Sequence, residues 1–188
     1  MLIAAALLPQ AAFSPDGQLR AEDAKVYEAG LLAYAKPEEA YKNRLELRFP
    51  SSNLHTDPTI YVVDHSGPNL ALIPPSAKVD DQGRTIPKDP DLWNAAVVRN
   101  RQSESLTWFH PVSKWLKVVS EKDRARLRRE DRIRLICSLG KPGYSPKGDR
   151  ATFSFSYVGF MHPSVATLCL RKTHGKWVVT NQISTHFL

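Results

Sequence analysis

Ala151-Thr152-Phe153-Ser154-Phe155-Ser156-Tyr157 alternates apolar and hydroxyl side chains one for one. Successive side chains of a strand point to opposite faces. The stretch therefore places Ala151, Phe153, Phe155 and Tyr157 on one face and Thr152, Ser154 and Ser156 on the other, as in a half-buried antiparallel strand. Just upstream, Ser145-Pro146-Lys147-Gly148 has type I turn chemistry, with Pro second and Gly fourth. Before that turn, Ile133, Leu135, Cys137 and Leu139 alternate in another strand. Downstream, Val165 to Lys172 reads as a strand, and Trp177 to Ile183 as its return. His174-Gly175 between them is a tight turn of residues that tolerate positive φ. The C-terminal third is thus predicted to be an antiparallel meander.

Towards the N-terminus the periodicity changes. Leu19, Val26, Leu31 and Leu32 recur with Tyr27 and Tyr34 at helical spacing, predicting a helix over 19–35. Glu22 and Asp23 fall near its expected start, where carboxylates suit the helix dipole. Residues 44–49 alternate strictly and read as a strand, as does the β-branched run Thr59 to Val63. Residues 66–90 carry five prolines and predict a long loop, with one hairpin around Asp80-Asp81-Gln82-Gly83. A helix is expected over 91–102, burying Leu92, Trp93, Ala96 and Val97. Ser105 to Phe109 reads as extended, and Trp115 to Val119 as a strand. Ser120-Glu121-Lys122-Asp123 has capping-box form and opens a helix to about Asp131.

The fold class this predicts is α+β: an antiparallel sheet of four or more strands with about three helices packed against it. The 188 residues suit one domain over 19–188, preceded by residues 1–18. Met1 to Phe13 holds an apolar core followed by small residues, like the middle of a secretory signal, but without a basic start or an Ala-x-Ala site. It is read as a signal remnant or as an apolar arm on the domain. Export, to the periplasm or outside the cell, is the preferred expectation, and a cytoplasmic location the alternative. The run is too short to span a bilayer.

The chain has 26 Lys and Arg against 19 Asp and Glu, a formal charge of +7, and a pI of about 9.5. Such a surface attracts acidic or anionic partners. Cys137 and Cys169 are too far apart for a CxxC site. Strand parity puts Cys137 with Leu135 and Leu139, and Cys169 opposite to Leu168 and Leu170, so the two are predicted not to form a disulfide.

Residues 132–183 resemble the end of an uncharacterised family of exported bacterial proteins. The pieces that carry the resemblance are Leu135-Ile136-Cys137-Ser138-Leu139, Pro142-Gly143-Tyr144, Ala151 to Tyr157, and the closing Gly175-Lys176-Trp177-Val178-Val179. Upstream, Leu92-Trp93 with Asn100, then Val118-Val119-Ser120-Glu121, stand in similar order. The resemblance implies export and this meander, and brings no established activity. The Gly/Cys-rich tip of many members is replaced by Gly159 to Ser164, so nothing about that tip carries over. The Gly-Lys-Trp hairpin is also similar to those that close cone-shaped folds of nuclear-transport-factor type.

No phosphate-binding loop, dinucleotide fingerprint, His-Glu-x-x-His, Gly-x-Ser-x-Gly or EF-hand loop is present. No cofactor or metal site is expected. His110 and His162 each precede a proline, which holds them extended on stiff loops. They are the candidates for acid–base work in a hydrolase reading. The run from Lys122 to Arg134 is the densest positive stretch. Its positives spread around the helix and interleave with Glu121, Asp123, Glu130 and Asp131, which favours a solvated, ion-paired helix over a nucleic-acid reader. Arg124, Arg128, Lys141 and Lys147 are the anion-binding candidates. The four tryptophans sit in apolar-periodic segments and read as core. The leading functional expectation is a non-catalytic, exported binding or interaction protein. The alternatives are a hydrolase using loop histidines and, less favoured, nucleic-acid or polyanion binding through 122–134.

Overall fold

The computed structural model describes residues 15–36, 55–67, 77–79, 85–87, 89–129, 132–158 and 163–186. The apolar N-terminus, the strand expected over 44–49, most of the 66–90 loop, and His162 with its tip lie outside them. The elements in chain order are α1 (Pro15–Ala35), β1 (His55–Val63), β2 (Ala77–Val79), β3 (Thr85–Pro87), α2 (Pro90–Arg99), β4 (Leu116–Val119), α3 (Glu121–Leu127), β5 (Arg132–Leu139), β6 (Gly143–Tyr144), β7 (Arg150–Val158), β8 (Pro163–Thr173) and β9 (Lys176–His186).

The chain is α+β, as expected, but its sheet is mixed. The strand order is β4-β1-β5-β7-β8-β9, with β6 pairing β7. The meander β5-β7-β8-β9 is antiparallel throughout. β1 instead runs parallel to both of its neighbours, β4 and β5. The reason lies in the connections. Parallel neighbours need a crossover of about a dozen residues or more, and helix-bearing segments carry the chain from β1 to β4 and from β4 to β5. The strands flanking Asp80 to Gly83, β2 and β3, pair antiparallel, and the turn residues themselves lie outside the described residues.

One face of the sheet carries the main core. Phe153, Phe155, Leu168, Leu170, Cys137, Leu139, Ile60 and Val62 meet Val26, Tyr27 and Leu31 of α1 there. Gly30 lets the helix approach closely: a Cβ at that position would lie 2.7 Å from the ring of Phe153. Tyr27 meets Phe153 edge-on at 5.4 Å between centroids. On the opposite face, α3 presses Leu127 onto Val63 and Ile136. β1 is thus covered on both sides, which suits its unalternating Ile60-Tyr61-Val62-Val63.

The hydroxyl face of the meander was expected to be open, yet Thr152, Ser154 and Thr167 are buried. Their polar atoms satisfy one another: Ser154 and Thr167 share a 2.7 Å hydrogen bond, and the Thr152 hydroxyl donates to the Leu168 carbonyl. Hydrogen-bonded hydroxyls escape most of the cost of desolvation.

Several boundaries differ from the sequence reading. α1 begins at Pro15, the helical position proline suits best, so Asp23 sits two turns inside the helix instead of at its mouth. α2 stops at Arg99, and Val97 faces solvent. Ser105 to Phe109 is no strand: Ser105 makes a single bridge to His65, and Leu106 and Phe109 turn into the core. α3 is short, ending at Leu127, and its expected cap is present, with the Ser120 hydroxyl accepting from the Asp123 N–H. Gly148 closes the 145–148 turn at φ 66°, while His174 and Gly175 take φ 50° and 77°. Cys137 and Cys169 are free thiols. Parity separates them as predicted, and β7 also lies between their strands, a gap of ~9.5 Å that no disulfide spans.

Candidate functional site

α1 is an unusually polar helix for one that covers a core. Its buried stripe includes Asp23, only 1% exposed, one turn before Tyr27. A carboxylate on such a stripe demands a cation and further donors. The last residue of α2, Arg99, supplies them: its two terminal nitrogens grip the two oxygens of Asp23 at 2.9 and 2.7 Å. The Tyr144 hydroxyl, at the end of β6, donates to the same carboxylate at 2.7 Å. Arg99 also donates to the Pro142 carbonyl and lies over the Tyr144 ring.

The next residue continues the grip. The Asn100 side-chain amide accepts from the Lys141 N–H at 2.6 Å and donates to the Lys141 carbonyl at 2.7 Å, treating one residue as a strand neighbour would. It also donates to the Ala96 carbonyl, closing the end of α2. Gly143 is required beside it, since a Cβ there would sit 2.3 Å from the Ala96 backbone nitrogen. The segments Leu92-Trp93…Asn100 and Pro142-Gly143-Tyr144, some 40 residues apart in the chain, thus form one junction.

Two further sets flank this node. Glu22 receives the Lys172 ammonium at 2.5 Å and the Trp177 indole N–H at 2.8 Å. Glu104 lies 3.1 Å from Arg20 and 3.7 Å from Lys141.

Burial governs the protonation of the node. It pushes the Asp23 carboxyl up, and the bonds from Arg99 and Tyr144 only partly offset this. It pulls Arg99 down, but the Asp23 carboxylate outweighs it and the guanidinium is held above its ordinary range. Burial, then the charge of Asp23, drives the Tyr144 hydroxyl far above the usual phenol range. The buried Tyr27 hydroxyl, bonded to the Gly140 carbonyl, is raised for the same two reasons. Arg99, Tyr144 and Tyr27 hold their protons, and the polar atoms of Asp23, Arg99 and Tyr144 described above are spent on one another. Chemically the arrangement is a clamp.

The residues singled out from the sequence lie elsewhere. His110 is exposed on the 109–111 loop. Arg124 pairs with Glu121 at 2.8 Å, and Arg126 with Asp123 at 3.2 Å, so the ion-paired α3 is as expected. Arg128 is exposed at the end of α3, its guanidinium pulled down by partial burial and by Arg124 beside it. Lys141 is largely covered and faces Glu104. Lys147 is exposed at its turn. Among the described residues no three His, Cys, Asp or Glu stand close enough to hold a metal. The sequence reading missed Asp23, Arg99 and Tyr144 as a set. The signal was an acid at i−4 from Tyr27 on the apolar stripe of a helix.

Comparison with protein-family models, with curated proteins and with solved structures found no match for this chain.

Proposed function

We propose that this chain is a non-catalytic binding protein, acting outside the cytoplasm. The observation that carries the reading is the closed state of its main charged constellation. Asp23, Arg99 and Tyr144 satisfy one another in a buried junction, where a catalytic set would leave an acid, base or nucleophile facing a substrate. The positive surplus is instead displayed: Arg101, Lys117, Lys122, Arg128, Arg129, Lys147, Arg171 and Lys176 are all exposed. That distribution suits electrostatic attraction of a partner. The export half of the reading rests on the apolar run Met1 to Phe13 and on the resemblance of residues 132–183 to exported proteins. No helix of the described residues is long and apolar enough to cross a membrane.

Two measurements test the reading. The purified full chain, offered chromogenic esters, phosphodiesters, peptides and glycosides, is expected to turn over none of them. Turnover abolished by His110→Ala would replace the binding reading with a hydrolase. Residues 1–18 fused to a reporter enzyme active only outside the cytoplasm are expected to give activity, and a silent fusion would remove the export half.

A further inference from the structure

We infer that the end of the sheet formed by the β8–β9 tip and the 145–149 turn is a docking surface for an anionic lipid bilayer. The inference rests on the binding reading above and assigns it a surface and a partner.

The two turns stand side by side, joined by the Lys172 N–H donating to the Asp149 carbonyl at 2.7 Å. Both protrude: a Cβ added at Gly148 or at Gly175 would meet nothing within 4 Å. Besides Lys172, whose ammonium pairs with Glu22, four exposed cations lie at this end. Arg150 and Arg171 are direct partners across β7 and β8, on the same face of the sheet. Arg171 is in turn opposite Val178, two residues from Lys176 on β9. Lys147 caps the neighbouring turn, and all four side chains belong to exposed residues.

Like charges directly opposite on a sheet repel. The fold relieves this only in part: Asp89 pairs with Arg150, and the Asp149 carboxylate, held by the Ser145 hydroxyl, feels both arginines. A surplus of cations remains, and an external anionic group completes the compensation.

Shape and composition choose the partner. Sites for small molecules are concave, whereas this end is a pair of projecting turns. Single-stranded nucleic acid is held by exposed stacking aromatics, but the aromatic residue here, Trp177, is 7% exposed and turned to the core. Val178 is instead an aliphatic side chain, 50% exposed, beside Arg171 and Lys176. Cations around an exposed aliphatic group match a flat surface with negative headgroups over hydrocarbon.

Co-sedimentation of the full chain with vesicles tests this. Phosphatidylcholine vesicles containing phosphatidylglycerol are expected to carry the protein down, and phosphatidylcholine alone is not, with binding that falls as salt rises. Each cation near such a surface strengthens binding roughly fivefold, so Arg171→Gln/Lys176→Gln should weaken it about 25-fold. Lys122→Gln/Arg129→Gln, which removes the same charge from α3 and the turn that follows it, should change it less than about threefold. Thermal melts establish that both variants fold. The proposal is overturned by absent binding of the wild type, by equal losses in the two variants, or by displacement with inorganic phosphate at low concentration, which would mark a small-anion site. Absent binding with no turnover removes this surface alone, whereas turnover removes the binding reading itself.

Discussion

Two helices of this protein are rich in charge and use it in opposite ways. α1 turns Asp23 inward, to a bidentate grip from Arg99 and a bond from Tyr144. α3 turns its ion pairs outward, Glu121 with Arg124 and Asp123 with Arg126, each between residues three apart on one short helix. The first pair joins elements 76 residues apart, while the second only links neighbouring turns. Desolvation makes the difference. A buried charge stripped of its partner has no water to fall back on, whereas an exposed one returns to solvent at little cost. Charge density in a sequence therefore says little about which charges hold the fold.

The strongest way to break the comparison is Asp23→Ala. It leaves the Arg99 guanidinium partly buried without its carboxylate, and the expected loss is about 3–5 kcal/mol in chemical denaturation. A loss under about 1 kcal/mol would mean that α1 displays its charge as α3 does. Gly143→Ala tests the junction without touching a charge. The new methyl collides with the backbone of α2, and a loss of about 3 kcal/mol is expected.

pH sharpens the contrast within α1 itself. Burial pushes the Glu22 carboxyl up, but the bonds from Lys172, Lys25 and Trp177 more than reverse it and leave it below its ordinary 4.5. Its contribution is thus present above pH 4.5 and lost as pH falls through the lower folded value. Asp23 is raised above its ordinary 3.8 and has the opposite sign: its contribution is present below pH 3.8 and lost as pH rises through the folded value. Glu22→Gln should therefore flatten the acid limb of a denaturation series taken between about pH 6 and pH 3. An unchanged limb would show that Lys172 and Trp177 do not hold Glu22 in solution.

The smaller effects belong to α3. Ser120→Ala removes the cap that Asp123 donates to and should cost about 1 kcal/mol. A double-mutant cycle on Glu121 and Arg124 should give a coupling of about 0.3–0.5 kcal/mol, fading in high salt. A coupling several times larger would mean that the two helices do not differ in kind.

Much of this architecture was legible from local pattern. The one-for-one alternation of Ala151 to Tyr157 identified β7, and the chemistry of Ser145-Pro146-Lys147-Gly148 and His174-Gly175 placed both turns. Ser120 announced α3 because a cap is read within four residues. Strand direction was not legible, since it is set by where a connection returns the chain. The unbroken run Ile60 to Val63 was nonetheless a mark of burial on both faces. The junction was hidden by a boundary. With α1 starting at Leu19, Asp23 looked like a dipole partner; with the start at Pro15 it lies on the core stripe. Its partners come from residues 99 and 144, and no window of sequence holds all three.

The place of β1 in the sheet bears on how the protein is made. Its partners come late: Ile60 pairs with Leu116, 56 residues on, and with Leu135, 75 residues on. The meander from β5 to β9 needs only neighbours in sequence, and local pairings close fastest. A ribosome working from the N-terminus releases β1 long before either flanking strand exists. During synthesis that run of Ile60 to Val63 is an unmatched sticky segment, and β5 must leave the exit tunnel before it can be sheathed. Chaperone demand should therefore centre on this one strand, which the finished sheet pairs on both edges.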